Sequence, residues 1–162
     1  VLGLLKRILE KQRVFNMTLK LFSIFAKRSY FDNLTEWVTR KTARLNILLN
    51  KPVTGTNVKD LANSWIDLMP PDGSSNFKVD MITNDTAYTE IHLHCPLRGT
   101  GNVEACYKLM NYDRQLMSAI GGDLVVLESQ SNSGKGFCRL AIRKKGSGTD
   151  DLIPAHIKAV QS

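Results

Sequence analysis

The sequence predicts an α+β fold: N-terminal helices packed on an antiparallel sheet made of two hairpins separated by a helix. Three observations lead there. Apolar residues recur every three or four positions through residue 69, the period of a helix with one buried face. The run Pro70-Pro71-Asp72-Gly73 then stops the chain, and the apolar period changes to two. After Gly121-Gly122 the period of two returns, around a turn at Asn132-Ser133-Gly134. Helices followed by paired strands, with no βαβ alternation, argue an antiparallel sheet backed by helices.

Residues 2–27 read as the first helix, with Leu2, Leu5 and Leu9, then Phe15, Leu19, Phe22 and Ala26, along one stripe. The second spans 32–50, with Asp32 as N-cap and Leu34, Trp37, Val38, Leu45 and Leu48 as its expected buried side. The third spans 57–69, capped by Thr56 or Asn57, and buries Val58, Leu61, Trp65 and Leu68. In the first hairpin Phe77, Val79 and Met81 alternate with Lys78 and Asp80, and Asn84-Asp85-Thr86 turns the chain. On the return, Ala87 to Cys95 places Tyr88, Glu90, His92 and His94 on the face opposite Ala87, Thr89, Ile91, Leu93 and Cys95. Asn102 caps a helix to about Ile120 on which Cys106, Met110, Asp113 and Met117 share a face. The second hairpin covers 123–131 and 136–144, and a short helix is expected over 153–160. The whole chain, 1–162, reads as a single domain, with a helical part at 1–70 and a hairpin-helix-hairpin core at 75–145.

The net charge is +7, and its placement is uneven. Residues 1–50 carry ten Lys/Arg and three Asp/Glu, whereas residues 51–162 carry twelve of each. The basic third suits an anionic membrane, an acidic partner, or a solvated helix face. The turn between its two long helices lacks the usual Gly, and neither helix is rich in Arg, Asn and Gln, which argues against nucleic acid. No run of about 18 apolar residues is present to span a membrane. Three Cys without a secretion signal point to a reduced, cytoplasmic setting.

Two groups of residues could carry chemistry. Cys106, Glu128 and Cys138 fall on elements that short turns bring together, and thiolate and carboxylate donors suit zinc. The plainer reading makes the thiols small core hydrophobes and Glu128 a solvent-facing strand residue. His92 and His94 share a strand face and suit a metal or a polar ligand. Trp65, Phe77, Tyr88 and His92 are the candidate lining of a small-molecule pocket. The Ser-Gly-Lys-Gly run at 133–136 fails as a phosphate loop, because Ser129 and Gly136 occupy positions that need Gly and Ser/Thr. No Gly-x-Ser-x-Gly elbow occurs.

Cys106, the helix ending in Gly121-Gly122, Glu128-Ser129-Gln130-Ser131, and Gly134 to Phe137-Cys138-Arg139-Leu140 together resemble the 4-vinyl-reductase domain. The resemblance covers about residues 75–145. It implies the fold of the trafficking-particle (TRAPP) subunits, a pocket for small apolar or aromatic molecules, dimerisation through helices, and zinc held by Cys106, Glu128 and Cys138. Ser131 stands where that pattern has a Cys. Either no metal is held, or three protein ligands leave a position open, as in catalytic zinc. Cys95-Pro96, Cys106 and the late Phe137-Cys138 are also similar to the aminothiazoline-carboxylate hydrolase-like family. That likeness implies a Cys106 or Cys138 nucleophile with His92 or His94 as base. Three functional classes follow: a ligand-binding or sensing domain, a hydrolase using a thiol or zinc-bound water, and a dimerising scaffold without a ligand.

Overall fold

The computed structural model describes residues 11–158. Helix α1, Gln12–Ala26, starts where the Asp72 carboxylate accepts the Gln12 amide at 2.7 Å. The part of the first helix expected over 2–10 lies outside the described residues. A short 3₁₀ turn, Ser29–Phe31, leads into α2, Asp32–Asn50. Helix α3, Val58–Asp67, is capped as its sequence predicts: the Asn57 side chain accepts the Asp60 amide at 2.9 Å.

Four antiparallel strands follow, β1 Phe77–Ile82, β2 Ala87–Ile91, β3 Gly122–Glu128 and β4 Cys138–Lys144, in the spatial order β1-β2-β4-β3. The predicted helix at 102–120 is two helices, α4 Val103–Leu109 and α5 Asn111–Ala119, joined at Met110. Asn102 caps α4, accepting the Ala105 amide at 2.8 Å. A last short helix, α6, covers Ala155–Lys158.

Strand alternation decides which face meets the helices. Phe77 pairs with Ile91, Ile91 with Cys138, Thr89 with Leu140, and Leu140 with Val126, so one side of the sheet forms a continuous buried layer. Helix α3 lies over β1, β2 and β4, and α5 lies over β3. Helices α1 and α2 form a second layer against α4 and α5. The other side of the sheet carries polar pairs, including Arg139 with Asp80 at 3.1 Å and Arg139 over the Tyr88 ring.

Two β-bulges interrupt the alternation and correct two expectations. One lies between Val79 and Met81, so Met81 pairs with Tyr88 and is exposed instead of continuing the buried face. The other lies between Val126 and Glu128. Simple alternation would set Glu128 opposite Cys138; the bulge sets it opposite Arg139, on the outer face.

Helix α2 differs from its predicted orientation. Its buried residues are Thr35, Thr39 and Ala43, while Leu34, Trp37, Leu45 and Leu48 are exposed. Small side chains bring α2 close to α5, and Asn111 donates to Thr39 Oγ1 at 2.9 Å across that contact.

Gly122 marks a second close approach. A Cβ there would sit 2.6 Å from Met117 Sδ and 3.0 Å from the Arg143 carbonyl oxygen. Gly122→Ala is expected to cost about 1–3 kcal/mol by overpacking the α5–β3 contact, read from the urea unfolding midpoint. An unchanged midpoint would remove this contact as a constraint on the fold.

Candidate functional site

The stretch between β3 and β4 gathers the thiols. Ser129 and Ser131 share a hydrogen bond at 2.8 Å, and the Ser129 hydroxyl donates to Cys106 Sγ at 3.1 Å. The Gln130 amide donates to Cys138 Sγ at 3.4 Å. The Gln130 side chain points to the 91–98 segment: its oxygen accepts the Arg98 Nε at 2.7 Å and the Cys95 amide at 3.3 Å, and its nitrogen donates to the Leu93 carbonyl at 2.8 Å. Burial pushes the Cys106 thiol up to about 11 and the Cys138 thiol up to about 12, and raises Cys95 as well. All three therefore sit as neutral thiols at neutral pH.

Cys106 and Cys138 thus meet one buried segment, as their positions in the sequence suggest. Glu128 does not join them. Its carboxylate accepts Lys135 Nζ at 2.6 Å on the outer face, and the Ser131 hydroxyl is engaged by Ser129. Among the described residues, no group of three or more His, Cys, Asp or Glu is arranged to hold a metal ion. The zinc set implied by Cys106, Glu128 and Cys138 does not fit this arrangement, because the bulge carries the carboxylate to the wrong side of the sheet.

The five ligand candidates separate in the same way. Trp65 is fully buried and donates Nε1 to Asp113 Oδ1 at 3.0 Å. Phe77 packs edge-on to Trp65, with centroids 5.7 Å apart. Both belong to the core. Tyr88 and His92 lie on the opposite face of the sheet, where His92 bonds Glu90 at 2.7 Å and stacks on Phe137, and His94 is exposed.

Among the described residues, two cavities bear on a ligand. One, of about 270 Å³, lies behind Cys106 and Ser129, between α4, β3 and α6, and is lined by Val103, Arg114, Val126 and His156 among others. The other, of about 170 Å³, lies between α1 and α2 and is floored by Met110, Tyr112 and Asp113. Its walls are apolar, from Phe15, Leu19, Phe22 and Leu49. Its polar groups are few and fixed: Asn46 Nδ2 donates to the Tyr112 hydroxyl at 2.6 Å and to the Leu68 carbonyl at 3.0 Å. Asn50 donates to Asn46 Oδ1 at 2.6 Å.

Sequence reasoning missed Asn46 and Tyr112 as site residues. Asp113 carried a signal, an acid on the apolar face of Cys106, Met110 and Met117. Burial pushes its carboxyl up to about 6, against the Trp65 hydrogen bond and the Arg114 charge, which both pull it down. No protein-family model, curated protein or solved structure matches the chain.

Asp113 makes stability depend on pH. Its folded value lies above the ordinary 3.8, so between about 3.8 and about 6 the folded protein holds a proton that the unfolded chain has released. The stabilisation is complete below the unfolded value and is lost as pH rises through the folded one. The loss is roughly 3 kcal/mol across this window, and Asp113→Asn should abolish it in urea unfolding from about pH 4 to about pH 7. A wild-type slope that survives in the variant would assign the effect elsewhere.

The thiols give a second expectation. Cys95 is half-buried, whereas Cys106 and Cys138 are buried. Iodoacetamide near neutral pH should label Cys95 at least about tenfold faster than the other two, and guanidinium should erase the order. Fast labelling of Cys106 in the folded protein would contradict its burial.

Proposed function

We propose that this chain is a small-molecule-binding or sensing domain of the 4-vinyl-reductase type. Its ligand would be a compact apolar or aromatic molecule with one hydrogen-bonding group, seated between α1 and α2. The cavity carries this reading. An apolar space of about 150 Å³ holds one benzene-sized molecule, and the cavity here is about 170 Å³. Apolar walls supply affinity, and a few fixed polar groups supply orientation. Asn46, Tyr112 and Asp113 are those groups. Asp113, near its midpoint at about 6, can accept a hydrogen bond or donate one.

The order helices, hairpin, helices, hairpin, with strands arranged β1-β2-β4-β3, supports the TRAPP-like form of the fold. The hydrolase reading draws less support. A thiol nucleophile acts as thiolate, and burial holds Cys106 and Cys138 protonated. Its expected bases, His92 and His94, lie one on the outer face of the sheet and one exposed beyond it.

Phenol and toluene are suitable probes. Either should raise the melting temperature, because a ligand at a hundred times its Kd adds about 2.7 kcal/mol to stability. Thr18 lines the cavity, so Thr18→Phe should weaken binding at least about tenfold by filling it, while Cys106→Ser leaves binding unchanged. No shift with either probe, or a shift abolished by Cys106→Ser and not by Thr18→Phe, would sink the reading.

A further inference from the structure

The exposed apolar residues of this protein are concentrated where its charge is. Among the described residues, eight of the fourteen exposed large hydrophobics lie between residues 11 and 50. The same stretch holds eight Lys/Arg and two Asp/Glu. Both acids are engaged: Asp32 by Lys108 at 2.7 Å, and Glu36 by Arg40 at 3.7 Å.

Helix α1 orders these residues into two neighbouring stripes. Met17, Leu21 and Ile24 follow spacings of four and three, so they share one outward face, with Met17 67% exposed and Ile24 53% exposed. Arg13, Lys20 and Lys27 recur every seven residues alongside it, all exposed. From Lys11 to Phe31 the sequence contains no Asp or Glu. Tyr30, 90% exposed, stands in the turn that follows. The inward face of α1 is separately occupied, by Phe15, Leu19 and Phe22 along the cavity and core.

We propose that the outer face of α1, with the turn after it, docks on an anionic phospholipid surface. An apolar stripe flanked by cations lies in the plane of such a surface, the stripe among the acyl chains and the cations at the headgroups. An exposed Tyr suits the same interface, with its ring apolar and its hydroxyl wet. None of the described helices is long and apolar enough to cross a membrane. A second copy of the chain fits less well. A two-fold contact sets the same face against itself, which would oppose cations with cations and no carboxylate between them. The inference stands apart from the ligand reading, because it uses the opposite side of α1.

Co-sedimentation with vesicles tests it, using phosphatidylcholine alone and phosphatidylcholine mixed with phosphatidylserine. Binding should require phosphatidylserine and weaken with added salt. Lys20→Glu with Lys27→Glu should lower partitioning at least about twentyfold, from roughly fivefold for each cation lost. Leu21→Ser with Ile24→Ser should lower it at least about tenfold. All four positions are exposed, so melting temperatures should stay near the wild type, and binding of phenol or toluene should not change. Equal sedimentation with neutral vesicles, or partitioning indifferent to both variants, overturns the proposal. So does a dimer in light scattering that Leu21→Ser with Ile24→Ser dissolves, which would assign the face to a second copy. Binding to polyglutamate without binding to vesicles would assign it to an acidic protein.

Discussion

The hydrogen bond from Trp65 Nε1 to Asp113, 3.0 Å long, holds the layers of this molecule in relation to one another. Trp65 belongs to α3, which lies on the sheet; Asp113 belongs to α5, which carries α2 on its other side. A buried indole N–H needs an acceptor, and a buried carboxyl needs a donor or a proton. Each supplies part of what the other lacks. The bond ties α5 to α3, and Asp113 also floors the cavity between α1 and α2. The candidate ligand site and the core therefore share one polar pair. Its cost shows in the carboxyl, which burial pushes up to about 6.

Gln130 does for the sheet edge what Asp113 does for the helices. It is buried in a loop, where unpaired polar groups are expensive, and it is paired throughout. Its side chain bonds Leu93, Cys95 and Arg98, its amide bonds Cys138, and its carbonyl oxygen accepts the Gly99 amide. The 91–101 segment is thereby tied to the second hairpin without a strand between them. The Cys106 and Cys138 sulfurs that gather there accept hydrogen bonds from the Ser129 hydroxyl and the Gln130 amide. The cavity behind Cys106 has a different character, with the Tyr107 ring in contact with Arg114, 4.0 Å from its centroid, and with the His156 ring, 4.1 Å away.

The strands and the capped helices were legible in the sequence because local rules decided them. Asn57 and Asn102 cap where a short polar side chain precedes an apolar period, and Ala87, Thr89 and Ile91 face the core by simple alternation. Cys106, Met110, Asp113 and Met117, expected on one face of one helix, are all buried, but the break at Met110 divides them between α4 and α5. What misled was the assumption that larger side chains go inside. On α2 the inward positions are Thr35, Thr39 and Ala43, because close approach to α5 favours small volume over large apolar area. Thr39 returns its hydroxyl to the Thr35 carbonyl at 2.8 Å, so its polarity does not forbid burial. Glu128 had two readings, metal ligand or solvent-facing strand residue, and the bulge bears on the choice. One extra residue in β3 turns it from the thiol side to the solvent side, and nothing in Leu124-Val125-Val126-Leu127 announces a bulge. Whether two donors meet thus hung on a register that only the paired strands reveal.

The cavity shows itself less in the sequence than the aromatic residues near it do. Trp65 and Phe77 are the large aromatic residues a pocket would be expected to display, and they are consumed by packing on one another. The groups left over to meet a ligand are those the core cannot use. Asn46 sits on α2 beside the close-packed Thr and Ala face, where it bridges to Tyr112 and to the end of α3 through Leu68. It also lines the cavity between α1 and α2. The small residues of α2 pack on α5, and beside that contact Phe15, Leu19 and Phe22 of α1 line the cavity together with Asn46 and Leu49 of α2. Enlarging the small face of α2 would therefore alter the cavity without touching a residue that lines it.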